Sequence, residues 1–494
     1  MKKSIFGILL MLEGAFVSLA LLVSLYYHFT LGEDDWQVLA VTAASCFVIG
    51  GAAKLLVGRS EEKRMTRADS FLIVALSWVV FSAVGMLPYI LYLGLDPASA
   101  FFEAMSGFTT TGATVLSGLD DMPHGILFWR SLTQWMGGLG IVVFSFALIP
   151  VYDLKNSNVF SAEVTGISLD RLRPKIGSTA RRLLVIYIIL TIACAVAYWL
   201  TAPMSVFDAV NHAFTTIATG GFSTHDKSIS FFGCSALEYV ASIFMLASSV
   251  NFSLYYYLTI RRTKAFWGNE ELRTFFGIVA FSVVAFVLLF SYAPFPVSAQ
   301  GTMPAEGEEV FRTALFHVST CISSTGFAGE YCDYVAWGDA FWMPTVVIMG
   351  IGACAGSTAG GIKIIRILIC AKSIVKEFVV QLHPRAVRSI RVSGQVVSDD
   401  RVRRALAFIF LYLLLVVGGM VVFSISGLDV DTSIGSCVSM LSNVGPGTGS
   451  VGPTSNFMHV EPVAKWLMSF YMLVGRLEIY TVLFLFMPSF WKER

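Results

Sequence analysis

Residues 106–119 read SGFTTTGATVLSGL, a run of small hydroxyl residues around Gly112 in the middle of a strongly apolar chain. One Thr-Thr-Gly at a loop tip is ordinary turn chemistry, so its meaning depends on recurrence. It recurs. ASAFFEAMSGFTTTGAT (98–114), MSVFDAVNHAFTTIATGGFS (204–223), EEVFRTALFHVSTCISSTGFA (308–328) and DTSIGSCVSMLSNVGPG (431–447) are each an apolar stretch ending in a glycine-bearing polar turn. Their key glycines, Gly112, Gly220, Gly326 and Gly445, lie 108, 106 and 119 residues apart. The apolar stretches hold roughly 10–14 residues, too few for a hydrocarbon core that needs about 20, which predicts segments that enter and return on one side. Irregular backbone at membrane depth persists only where protein buries it or water bathes it. Four such turns therefore predict one shared aqueous path.

Composition supplies the solvent. Apolar residues make up 56% of the chain and charged residues 14%, with a mean hydropathy of +0.72, against roughly 25% charged in an average soluble domain. This specifies an all-α polytopic membrane protein in a lipid bilayer, and a formal net charge of +1 gives no reason to expect a nucleic-acid partner. Ten spans are predicted, near 5–30, 37–57, 71–95, 126–152, 183–202, 236–260, 274–294, 341–381, 405–427 and 464–488. The eighth is overlong and interrupted by GIGACAGSTAGG (350–361), so two half-helices joined by a loop are expected there. With both termini cytoplasmic, 27 of the 34 Lys and Arg fall inside, four outside (Arg130, Lys227, Arg312, Lys465) and three within spans (Lys363, Arg366, Arg476). The positive-inside rule requires that asymmetry. The first apolar segment carries Glu13 and lacks a small-x-small cleavage site, so it reads as a retained helix rather than a signal peptide. The eight cysteines form no CxxC, which gives no metal or disulfide framework.

The residue types in the turns point to an ion filter. A dehydrated cation needs several oxygen ligands at once, and backbone carbonyls in an extended turn can replace its hydration shell. Glycine lets the chain aim carbonyls at one axis, because it accepts positive φ without steric cost. The residues placed for this are Thr110, Thr111 and Gly112; Thr219 and Gly220; Ser324, Thr325 and Gly326; and Asn443, Val444 and Gly445. Each short helix would point its partly negative C-terminal end at the ion, with Asp96, Asp208, Glu308, Glu309 and Asp431 near the opposite ends. The residues following the glycines are Ala113, Gly221, Phe327 and Pro446, so the four copies do not share the second glycine of a TVGYG filter. Fewer ion sites and imperfect discrimination against sodium are expected.

In these residues the chain closely resembles the Trk/Ktr family of potassium-uptake proteins, in its longer TrkH-like form. The strings TTTGAT, TGGFST, STGFA and NVGPG, the break CAGSTAGGIK, the cytosolic HPRAV and the GRLEIYT of the last span follow the family pattern in order, over essentially the whole chain. The resemblance implies four membrane-pore-membrane repeats with pseudo-fourfold symmetry and K-channel-like re-entrant filter loops, preceded by a two-helix unit. The corresponding boundaries are 1–66 for that unit, then 67–160, 161–265, 266–398 and 399–494. It also implies potassium as the transported ion, bound by filter carbonyls, with no organic cofactor on this chain. The implied setting is a bacterial cytoplasmic membrane, with the chain as a homodimer and a TrkA-like nucleotide-binding regulatory ring docked on the basic segment 372–404. An intramembrane gating loop is implied at 353–361, with Ala353, Gly356, Ser357, Thr358, Gly360 and Gly361, together with a pore-facing Arg476. Ala353 and Ala359 stand where the family often has glycine, which puts the loop's flexibility in question, and Ser324 stands where threonine is common.

Arg476 stands out even without the resemblance, because a charge deep in a span faces a bundle interior or a watery cavity. A cation in a cation path raises the barrier to passage, which suits a gate; pairing with Glu478 or capping a broken helix is the structural alternative. Glu103 reads as a hydrogen-bond acceptor behind the first turn, and Lys363 and Arg366 as side chains snorkelling toward the cytoplasm. An enzyme is disfavoured, since the chain has no HExxH or GxSxG, and GIGACAGSTAGG meets neither the spacing nor the strand-helix context of a dinucleotide loop. The remaining alternative is a symporter with alternating access, coupled to Na+ or H+, since such carriers also use broken helices. Four repeats of one orientation favour a pore.

Overall fold

The computed structural model describes residues 2–56, 67–140, 176–292, 304, 307–331, 333–385 and 388–492. Among them the regular structure is helical apart from one hairpin, Arg391–Val392 with Gln395–Val396.

The helices Lys2–Leu31 and Trp36–Leu56 lie side by side. A Cβ on Gly7 would stand 2.6 Å from the Gly50 carbonyl oxygen, and one on Gly50 2.8 Å from that of Gly7. The two backbones therefore touch, the small-residue contact that lets van der Waals packing drive association in lipid. Buried Asp35 accepts from the Ser24 hydroxyl and, at 3.0 Å, from the Ile126 N–H, fastening this pair to the helix His124–Leu139.

Four units of similar order follow: a long apolar helix, a short helix, a polar turn and a second helix. They are Arg67–Gly85, Pro97–Phe108 and His124–Leu139; Ile176–Thr201, Val206–Ile217 and Ser235–Ser248 with Phe252–Thr259; Glu270–Tyr292, Glu308–Ile322 and Asp339–Ile351 with Ile364–Leu382; and Asp399–Ile425, Val430–Ser442 and Pro462–Arg476 with Glu478–Leu483. The short helices have 12, 12, 15 and 13 residues, which at about 1.5 Å per residue leaves them short of a roughly 30 Å core.

Their starts are written in the sequence. Asp96 accepts from the N–H groups of Ala98 and Ser99, with Pro97 in the first turn where its missing N–H costs nothing. Ser205 accepts from Asp208 N–H and donates to its carboxylate, a reciprocal cap. The fourth helix is capped by Asp429, which accepts from Thr432 N–H, and carries Asp431 in its first turn.

Among the described residues six helices are long and apolar enough to cross a membrane, or eight if two bent pairs each count as one span. Those pairs fall in the expected sixth and tenth spans, which are bent. Ser235–Ser248 meets Phe252–Thr259 at 95°, and Pro462–Arg476 meets Glu478–Phe486 at 115°. The first corner falls where Asn251 caps a new helix by accepting from Ser253 N–H, and the second at Glu478, whose φ is 58°. The expected fourth span leaves the described residues after position 140, and the eighth is divided at 352–363.

Candidate functional site

The four short helices end alike. Thr110, Thr219, Ser324 and Asn443 take left-handed φ values of 52°, 56°, 55° and 54°. Their N–H groups reach the carbonyls three residues back, on Gly107, Thr216, Cys321 and Met440. The next N–H groups, of Thr111, Gly220, Thr325 and Val444, reach five residues back at 2.8, 2.8, 3.0 and 2.9 Å. This is a Schellman closure, whose left-handed position usually carries glycine; here none of the four does. Strain of this kind persists only where surrounding structure holds it, and it clusters at ligand clamps.

Glycine enters two residues later, at Gly112, Gly221, Gly326 and Gly445, with φ of 85°, 77°, 79° and 101°. The second of these corrects the reading of the sequence, which aligned Gly220. Two adjacent glycines leave the register open on paper, but once Thr219 takes the left-handed position the next one falls on Gly221. Gly220 then occupies the station of Thr111, Thr325 and Val444. In this register the following residues are Ala113, Phe222, Phe327 and Pro446.

The turns close on one another in chain order. A Cβ on Gly112 would collide with the carbonyl oxygen of Gly220, one on Gly221 with that of Thr325, one on Gly326 with that of Val444, and one on Gly445 would stand 2.6 Å from that of Thr111. The same two stations meet at all four junctions, so each glycine is needed for the approach and each copy contributes one carbonyl at the contact. Hydroxyls lock two of the turns, Thr109 to Thr111 at 2.8 Å and Ser323 to Thr325 at 2.7 Å. Asn443 joins the fourth turn to the first, its amide donating to Thr111 Oγ1 at 3.0 Å and to the Met472 carbonyl at 2.9 Å. A cavity of about 170 Å³ borders the ring, with Gly112, Gly221, Gly326, Pro446, His225 and Asp226 on its walls.

Three of the four cations assigned outside are buried braces rather than loop charges. Arg130 Nε donates to Glu103 at 2.9 Å, its Nη1 to the Ser223 carbonyl at 3.0 Å, and its guanidinium lies 4.2 Å from the Phe222 ring centre. Glu103 also accepts from Thr114 Oγ1 and Val115 N–H, the acceptor role expected of it. Arg312 pairs with Glu238 and Glu330 between the second and third units, and Lys465 donates to Ser99 Oγ between the fourth and first. Each has an exposure of 3% or less. A buried charge needs such partners.

The break at 352–363 lies against the C-terminal ends of the short helices. Thr358 Oγ1 donates to the Ile217 carbonyl at 3.1 Å, Gly360 N–H donates to Ser324 Oγ at 2.8 Å, and Gly360 leaves no room for a Cβ beside the Ser442 carbonyl. Ser357 Oγ folds back to the Cys354 carbonyl, and Glu271 takes the Ala355 N–H at 2.7 Å. Positive φ is taken by Gly352, Gly356, Gly361 and Lys363, whereas Ala353 and Ala359 are not among the positive-φ residues, so the alanines stand where the backbone does not require glycine. Arg476 reaches the same loop: Nη1 donates to the Thr358 carbonyl at 2.5 Å and Nη2 to the Gly137 carbonyl at 3.1 Å. Glu478 pairs with Arg366, whose guanidinium lies 3.8 Å from the Phe408 ring centre, and the Lys363 ammonium turns back to the Ala359 carbonyl. Both cations are buried, which corrects the expectation that they snorkel.

Sequence reasoning missed Gln134, fully buried on the helix His124–Leu139, which holds both sides of the second turn: Nε2 donates to the Gly220 carbonyl at 2.8 Å and Oε1 accepts from Phe222 N–H at 3.0 Å. A primary amide inside a span was the available signal.

The chain is similar to known proteins over nearly its whole length. A family model for TrkH, described as a cation transport protein, matches residues 36–493. The Trk system potassium uptake protein TrkH of Salmonella typhimurium (strain LT2) is 37% identical over 495 residues, covering 99% of this chain and 98% of the relative. The Trk system potassium uptake protein TrkG of Escherichia coli (strain K12) is 35% identical over 477 residues, covering 96% and 94%. The crystal structure of the potassium transporter TrkH from Vibrio parahaemolyticus matches with a TM-score of 0.85 at 33% identity, covering 99% of both chains.

Proposed function

The chain belongs to the TrkH family of cation transport proteins, and on that premise we propose that it takes up potassium across a membrane through the ring of four turns. The four units are pore repeats around a pseudo-fourfold axis, with boundaries near 67–160, 161–265, 266–398 and 399–494, and the turns are re-entrant filter loops. Potassium sheds water at the ring and is coordinated by backbone carbonyls of Thr110, Thr111 and Gly112, of Thr219, Gly220 and Gly221, of Ser324, Thr325 and Gly326, and of Asn443, Val444 and Gly445. The helix C-termini add a favourable potential beneath. The loop 353–361 and Arg476 form the gate: the loop obstructs the path below the ring, and the guanidinium opposes a passing cation.

The observation that carries this reading is the cyclic contact of glycine against the preceding carbonyl of the next copy, closed over all four junctions. In this reading both termini face the cytoplasm across a bacterial inner membrane, two copies of the chain associate, and the basic segment 372–404 receives a nucleotide-binding regulatory ring.

The test is rubidium uptake into potassium-loaded liposomes holding the full chain, with external potassium or sodium as competitor, for the wild type and Gly112→Ser. Potassium blocks uptake more than sodium in the wild type, and the variant loses that preference. Sodium-dependent uptake indifferent to Gly112 would overturn the pore in favour of a coupled symporter.

A further inference from the structure

Gln134 repairs a missing side chain in the second turn. At the station next to the ring glycine, the first, third and fourth turns carry Thr111, Thr325 and Val444, whereas the second carries Gly220. Gly220 is not among the positive-φ residues, so its backbone does not demand glycine. What excludes a side chain there is the Gln134 amide, which occupies the place where a Cβ on Gly220 would stand. The amide's orientation is set by its partners, since the Gly220 carbonyl can only accept and the Phe222 N–H can only donate. Both ends of the amide are thereby satisfied in a fully buried site.

We infer that Gln134 is a positioning residue that fixes the Gly220 carbonyl and thereby helps determine which cation the ring accepts. This rests on the transport reading above. The Gly220 carbonyl stands at the junction with Gly112, so its direction bears on two of the four turns. It also accepts an N–H, which draws on a lone pair an ion would use. The first and third turns hold the equivalent residue by hydroxyl pairs within the turn. The second does so with a side chain borrowed from the unit before it, and cation choice becomes sensitive to a residue outside the turn.

The experiment measures the ratio of potassium to sodium inhibition of rubidium uptake in liposomes for Gln134→Ala, Gly220→Val and the double variant. Valine is chosen because Val444 already serves at this station. Gln134→Ala lowers the ratio by roughly 2- to 10-fold, the span expected from one backbone hydrogen bond. Gly220→Val alone, which forces a collision with Gln134, also lowers it, and the double variant returns it to within about twofold of wild type. A Gln134→Ala protein with wild-type ratio, or a double variant no better than both singles, overturns the inference. Should the single variants fail to fold, the double variant decides: a near-wild-type ratio supports the role and a collapsed ratio refutes it. Absence of potassium-competed uptake in the wild type would instead sink the transport reading itself.

Discussion

Replacing Arg476 with methionine keeps side-chain length and removes both the charge and the donors. On the proposed gating role, the hydrogen bond to the Thr358 carbonyl is lost when the loop 352–363 leaves its seat against the short helices. A hydrogen bond from a charged donor contributes about 1.5–3 kcal/mol, so its loss shifts the balance between the seated and displaced loop by roughly 10- to 150-fold. The charge acts in the same direction: a potassium ion passing about 5 Å away meets a repulsion on the order of 3 kcal/mol at an effective dielectric of about 20. Arg476→Met should therefore raise rubidium flux in proteoliposomes by about tenfold or more. Arg476→Lys, which keeps the charge but offers a compact ammonium, should fall between the two. Removal of the second bond, to Gly137, also loosens the first unit, so melting temperature and monodispersity are measured on the same preparations. Flux equal to or below wild type in a folded Arg476→Met protein would refute the gating role and leave Arg476 a structural brace.

Glu103→Ala strands the Arg130 guanidinium in a site that is 1% exposed, which should destabilise the protein by about 3–5 kcal/mol; Glu103→Ala with Arg130→Met should recover more than half of the lost melting temperature, and a double variant that melts below the single contradicts this. Gly221→Ala must adopt φ near 77° and collide with the Thr325 carbonyl, whereas the nearest atoms met by Gly220→Ala are those of the Gln134 side chain. Uptake should therefore be lost in the first and largely restored in the second when Gln134 is also reduced to alanine; the opposite ranking would return the ring glycine to position 220. His225 lies between Asp208 and Asp120; partial burial pulls its pKa down, but these carboxylates more than offset that and hold it above the ordinary histidine value. A raised folded value means stabilisation that is full below about pH 6.5 and lost as pH climbs through the folded value. The melting-temperature gap between wild type and His225→Gln should narrow from pH 6 to pH 9, and a constant gap would show that the ring contributes only packing.

Much of this architecture was legible because it rests on length and repetition. The four apolar stretches are too short to cross, their turns recur, and the break at 350–361 interrupts an overlong span, so the short helices and the divided helix follow from counting. What escaped depends on direction. A corner between two apolar helices leaves the hydropathy run unbroken, and the sixth and tenth spans bend at Asn251 and Glu478, single residues whose capping and φ cannot be read from hydropathy. Side assignment by charge likewise says where Arg130, Arg312 and Lys465 end, not that each finds a buried partner on another helix. The Gly220–Gly221 pair escaped for a third reason: glycine is permissive, and two in a row fit either register until the neighbouring turns impose one.

That last case shows how one chain uses four unequal copies. The shared features are backbone features: a left-handed residue, then a glycine two positions on, in every turn. The differences fall on side chains that meet other units. Gln134 serves the second turn, Ser324 in the third bonds the loop, and Asn443 in the fourth reaches Thr111 in the first. In a ring of four identical subunits a loop as large as 352–363 would appear four times around one axis and crowd itself out. A single chain can place it in one unit and latch it with one arginine from another. The equal backbone positions should therefore tolerate little change in any copy. The station of Thr111, Gly220, Thr325 and Val444 should tolerate whatever its local neighbours complement, so on the proposed filter role it is the position at which selectivity should change without rebuilding the ring.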